Sequence, residues 1–100
     1  MQIQYIGHAG CLVRHEDMLI AFDPFLSGSF LWNGKMNTYT GDSPWIGNEA
    51  KINAFAEQFA PELNAILISH AHMDHFDPLT INALLRVNPE IQIFCPLSNH

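Results

Sequence analysis

Residues 1 to 7 alternate between apolar and polar, with Ile3 and Tyr5 set between Gln2 and Gln4. A period of two predicts a strand. Gly7 and Gly10 permit unusual backbone angles, so His8-Ala9-Gly10 reads as a turn or bulge. Cys11 to Arg14 reads as a second strand, and His15-Glu16-Asp17 as a polar turn. Met18 to Phe22 reads as a third strand. It is apolar throughout, which predicts burial on both faces. Asp23-Pro24 stops it, because proline has no N–H for the ladder and keeps its predecessor extended. The first 24 residues thus read as an antiparallel meander.

Phe25 to Gly47 shows no clear periodicity. Glycines, serines and asparagines alternate there with Phe25, Phe30, Trp32, Tyr39 and Trp45. So long an irregular stretch suits a lid or one wall of a pocket with the aromatics as anchors, or else a loop whose aromatics simply pack it onto the body. From Asn48 to Ala60, Ile52, Phe55, Ala56 and Phe59 recur at helical spacing, Asn48 is a cap and Pro61 a stop. Ala65 to Ile68 is a short buried strand. Asp77 and Pro78 open a second helix, as N-cap and first helical residue. Leu79, Asn82, Ala83, Leu84 and Leu85 continue it, and Asn88-Pro89 closes it. Ile91 to Cys95 is a last strand, ended by Pro96. Strand, helix, strand over 65 to 95 is a βαβ unit, which implies parallel strands covered by a helix.

Composition narrows the class. One hundred residues make one domain at most. Hydrophobic residues reach 48% while charged residues reach only 14%, which excludes disorder. The charge balance is −6. Arg14, Lys35, Lys51 and Arg86 are too few and too scattered to neutralise a phosphate backbone, so no nucleic acid is expected. The apolar runs are far shorter than the ~20 residues that span a bilayer. The N-terminus lacks the features of a signal peptide. Cys11 and Cys95 make no disulfide framework and read as small core hydrophobes, with a reducing cytoplasm as the default compartment. So few charges point either to apolar faces that expect a partner, another subunit or further sequence, or equally to a surface covered by Asn, Ser, Thr and Gln.

The chemistry lies in Ser69-His70-Ala71-His72-Met73-Asp74-His75. Three imidazoles and a carboxylate fall within six residues at the end of a buried strand. Residues two apart in an extended chain face one side, so His70 and His72 can reach a common ion. Asp74 and His75 follow in the turn toward the helix, where they can face a second ion. Imidazole and carboxylate together are the ligand set of zinc and other first-row divalent metals. Without a cation, gathering these groups in a core would carry a large desolvation cost.

This segment resembles the His-x-His-x-Asp-His signature of the metallo-β-lactamase superfamily of metal-dependent hydrolases. The context is similar too: Phe22-Asp23-Pro24 resembles the aspartate that ends the family's N-terminal meander. Ile6-Gly7-His8-Ala9-Gly10-Cys11-Leu12 resembles the Gly-His-Ala segment of one branch, which includes ascorbate-6-phosphate lactonase-like and N-acyl-phosphatidylethanolamine phospholipase D-like proteins. The resemblance implies that His70 and His72 bind a first metal and that Asp74 and His75 bind a second. It implies that Asp23 lies beneath the site and orients ligands, and that His8 lies near it against substrate or a ligand. A histidine bonded to backbone at a strand end is the equal alternative for His8. His15 reads as solvated surface.

The family also needs two further histidines and a bridging aspartate from later strands of a four-layer αββα sandwich. The expectation is therefore an α/β chain that forms the N-terminal half of that sandwich, residues 1–100 being one portion of a single metallo-hydrolase domain. The implied reaction is attack by a metal-activated hydroxide on an ester, lactone or phosphodiester, with two zinc ions, or manganese or iron, and Asp74 as the catalytic carboxylate. The implied partners are that small-molecule substrate and either a homo-oligomer or a C-terminal half. The alternative is a non-catalytic divalent-metal-binding or assembly subunit.

Overall fold

The computed structural model describes residues 1–7, 10–26, 29–32, 35–38, 45–47, 49–69 and 77–95. The strands β1 (Gln2–Gly7), β2 (Gly10–His15) and β3 (Met18–Phe22) form the antiparallel meander predicted from the pattern. The register shifts between Tyr5 and Gly7, where Gly7 takes a φ of 123° that a side chain would resist. His15 is exposed and ends β2. The strands β6 (Ala65–Leu67) and β7 (Gln92–Phe94) join in parallel, giving a five-stranded sheet ordered β1-β2-β3-β6-β7. The βαβ unit over 65 to 95 is present, with α2 (Pro78–Val87) as its crossover.

The helix α1 (Glu49–Phe59) buries the four predicted residues, Ile52, Phe55, Ala56 and Phe59. The α-helix ends at Phe59, ahead of Pro61, and a 3-10 turn follows from Ala60 to Glu62. That turn can include Pro61 because proline at a first helical position lacks only an N–H that has no partner anyway. Trp45 packs edge-on against Phe55 and Phe59, with ring centroids 5.6 and 5.7 Å away. The helix α2 buries Thr80, Ile81, Ala83 and Leu84, whereas Leu79 points to solvent at 64% exposure. Leu12, Leu19, Ala21 and Ile66 of the sheet meet these helical residues in one core. Each large apolar side chain buried there stabilises the fold by about 1.5–3 kcal/mol.

Three expectations are corrected. The first concerns β3, which is not buried on both faces: Met18 is exposed and Ile20 and Phe22 are half-buried. Directly paired residues share a sheet face. One outer row is therefore Tyr5, Cys11, Phe22, Leu67 and Phe94, and the next is Ile3, Val13, Ile20, Ala65 and Gln92. Both helices lie on the opposite face, so Ile3, Tyr5 and Phe94 are 68%, 57% and 50% exposed. The described residues thus make two layers, α and β, of the α/β class expected.

The second correction lies in residues 25 to 47, which are not wholly irregular. A hairpin of β4 (Ser29–Trp32) and β5 (Lys35–Thr38) forms there, with Trp32 paired to Lys35. Asn33-Gly34 between them is a strong two-residue hairpin signal, though four-residue strands carry too little alternation to read. The third concerns the cysteines. Cys95 is exposed and Cys11 only half-buried, because β7 is an edge strand and Cys11 lies on the bare face. Both are free thiols. No helix among the described residues is long and apolar enough to cross a membrane.

Candidate functional site

The C-terminal ends of β3 and β6 lie side by side, because the two strands run parallel in the middle of the sheet. Ligands of open α/β sheets bind beyond the carboxyl ends of such strands. Asp23 follows β3 directly. Its backbone N–H donates to the Leu67 carbonyl at 2.9 Å, which carries the β3–β6 pairing one step further. Its φ of 46° then turns the chain out of the strand. Aspartate tolerates this left-handed conformation better than most residues.

That turn aims the buried Asp23 carboxylate at the end of β6. Oδ1 accepts the Ser69 backbone N–H at 2.6 Å, and Oδ2 accepts the Ser69 hydroxyl at 2.7 Å. Asp23 therefore holds the residue immediately before His70. Gly10 allows this arrangement, since a Cβ there would stand 2.8 Å from the Asp23 carbonyl oxygen. The Cys11 thiol is held above the ordinary thiol range, first by burial and second by the negative Asp23 carboxylate.

A second buried carboxylate, Asp77, is the first described residue after Ser69 in the sequence. Asp77 caps α2, with Oδ1 accepting the Leu79 N–H at 3.2 Å. Oδ2 accepts the Thr80 hydroxyl at 2.6 Å and the Leu26 N–H at 3.1 Å. The Leu26 N–H also reaches Thr80 Oγ1 at 3.0 Å. Asp77 and Thr80 are buried at 4% and 0% exposure. The short stretch from Asp23 to Leu26 thus touches both Ser69 and Asp77. Beside Ser69, an open cleft of about 390 Å³ is lined by Phe22, Leu67, Ile68, Phe94 and Cys95.

Of the residues singled out in the sequence, Asp23 is described: it follows β3 and its carboxylate holds Ser69, the residue before the histidine segment. His8, His70, His72, Asp74 and His75 lie outside the described residues. Among the described residues, no three His, Cys, Asp or Glu side chains come together as a metal site. The residues that sequence reasoning missed are Ser69 and Thr80, together with the wider role of Asp77. Ser69 carried no signal beyond its place before His70. Thr80 carried one, the spacing of a hydroxyl three residues after a capping aspartate.

Comparison with known proteins places this geometry. Residues 2–94 match the family described as the beta-lactamase superfamily domain. The chain is 29% identical over 94 residues to a cytidine monophosphate-N-acetylneuraminic acid hydroxylase of Asterias rubens, covering 94% of this chain and 13% of that protein. It is 29% identical to the hydroxylase of the same name from Mus musculus, again over 94% of this chain and 14% of that protein. It is 26% identical to an N-acyl-phosphatidylethanolamine-hydrolyzing phospholipase D 1 of Caenorhabditis elegans, covering 93% of this chain and 24% of that protein. The chain thus spans between 13% and 24% of the length of these curated relatives. With the family matched along nearly its whole length, the chain belongs to the beta-lactamase superfamily, the metallo-β-lactamase group that its histidine segment resembles.

Proposed function

We propose that this chain is the metal-binding portion of a metal-dependent hydrolase that cleaves an ester, lactone or phosphodiester. The observation that supports this most concerns the residues on either side of His70, His72, Asp74 and His75 in the sequence. Those two flanking residues, Ser69 and Asp77, are both tied to the end of β3. The family and the phospholipase D relative support hydrolysis as the reaction.

The donor set fits a divalent cation, since three imidazoles and a carboxylate suit zinc, manganese or iron. His70 and His72 would hold one ion, and Asp74 and His75 a second. A bound ion supplies Lewis acidity, polarising the electrophile and acidifying water. The chain's own residues supply the rest. Asp23 fixes Ser69 through both of its donors and so sets the direction in which the chain enters His70. Asp74 offers a carboxylate oxygen that can take a proton from attacking water. His8 stands near substrate in this reading. The apolar cleft beside Ser69 would receive an apolar part of the substrate. The net charge of −6 favours a neutral or singly charged substrate over a polyanion.

Steady-state assays of the metal-loaded chain joined to the later strands that supply the remaining ligands, against esters, lactones and phosphodiesters, test this reading. Turnover that disappears in His72→Ala supports it. Full metal loading without turnover of any class contradicts it and favours the second reading, a non-catalytic metal-binding or assembly subunit. The bare apolar face of the sheet is the observation behind that second reading.

A further inference from the structure

A helix N-cap needs one oxygen. Asp77 Oδ1 fills that role by accepting the Leu79 N–H. Oδ2 has no part in the cap itself: it receives the Thr80 hydroxyl and a backbone N–H from Leu26, 51 positions away. Thr80 is fully buried, and its hydroxyl both donates to Asp77 and accepts from Leu26. Capping alone accounts for neither Oδ2 nor Thr80.

What the pair does is fasten the chain. Asp23 anchors Ser69, and three residues later the Leu26 N–H reaches Asp77 and Thr80. Ser69 and Asp77, which flank residues 70–76 in the sequence, are therefore both tied to one short buried stretch. Fixing two ends of a ligand-bearing segment lowers the entropy it must lose when an ion binds. We propose that Asp77 and Thr80 are positioning residues for the divalent-ion ligands, acting through the Leu26 N–H. This rests on the function proposed above.

The test is a competitive zinc titration of the full chain against a chromogenic chelator, with circular dichroism and Tm of the metal-free protein measured in parallel. Thr80→Val removes the hydroxyl at nearly constant shape. Asp77→Asn keeps the cap oxygen and replaces Oδ2, so it serves if Thr80→Val does not fold. Thr80→Ser restores the hydroxyl. Phe59→Leu is a control that lowers Tm away from the segment. The expected result is zinc affinity weakened ~10–100-fold in Thr80→Val and Asp77→Asn, and restored to within about twofold in Thr80→Ser. Wild-type affinity in a folded Thr80→Val or Asp77→Asn overturns the positioning role while leaving the metal reading intact. An equal loss in Phe59→Leu overturns it as well, since general instability would then explain the effect. No zinc binding by folded wild type overturns the metal reading, and the positioning role with it.

Discussion

Asp23 and Ser69 stand 46 positions apart in the chain and meet through two hydrogen bonds, one to each carboxylate oxygen. The pair joins the end of an antiparallel meander to the end of a parallel strand. It does so at the residue before the first histidine of the candidate metal segment. A bond to a charged acceptor contributes about 1.5–3 kcal/mol, and a donor left buried without a partner costs about 1–3 kcal/mol.

Asp23→Ala should therefore destabilise the chain by about 3 kcal/mol, read from chemical denaturation. Asp23→Asn should cost about 1 kcal/mol, because its amide oxygen keeps the Ser69 N–H while the Ser69 hydroxyl turns to accept from the amide nitrogen. Asp23→Gly should be more stable than Asp23→Ala by about 1 kcal/mol, since glycine carries no cost at a φ of 46°. Equal losses in all three variants would contradict both the bonding and the backbone argument.

Gly10→Ala places a methyl group 2.8 Å from the Asp23 carbonyl and 3.2 Å from the Gly7 carbonyl. Both are backbone atoms that cannot swing aside. The expected cost is about 1–3 kcal/mol, measured by the same denaturation. A neutral Gly10→Ala would show that β2 does not approach Asp23 this closely.

Much of the fold was legible before the structure, and the exceptions share a physical cause. Ile52, Phe55, Ala56 and Phe59 announced α1 because a helix displays its buried face as a local period. Asp77 and Pro78 announced α2 because capping is local chemistry. The faces of β3 were misread because composition shows that a strand is apolar, whereas burial depends on what packs against it. Cys11 and Cys95 were misplaced for the same reason. At the candidate site, Asp23 was singled out by the resemblance of Phe22-Asp23-Pro24 to the family's aspartate, not by the pattern of the strand itself. Its hold on Ser69, and the hold of Asp77 on Leu26, were not legible, because both partners are distant in sequence.

The Cys11 thiol is held protonated by burial and by the Asp23 charge. Between the ordinary thiol pKa and the raised one, the folded chain keeps a proton that the unfolded chain has lost. Stability from this group is thus fully present below the unfolded value, about 8.5, and is lost as pH rises through the folded value. Wild type should lose more Tm than Cys11→Ala between about pH 8 and 10. Parallel Tm curves for the two proteins would contradict the assignment.

The bare sheet face should bind a hydrophobic dye. Ile3, Tyr5 and Phe94 expose it most. The chain should enhance the fluorescence of anilinonaphthalene sulfonate. Phe94→Ser should reduce that signal while changing stability by no more than about 0.5 kcal/mol, as exposed sites do. No dye binding by folded wild type would show the face to be covered.

The most direct measurement is metal content per chain after dialysis, for wild type and for the double variant His70→Ala/His72→Ala, with folding of both checked by circular dichroism. The account predicts one to two divalent ions per wild-type chain and a marked loss in the folded double variant, since imidazole and carboxylate donors at this spacing are a metal ligand set. A folded wild type that retains no metal, or a double variant that retains as much as wild type, would contradict it.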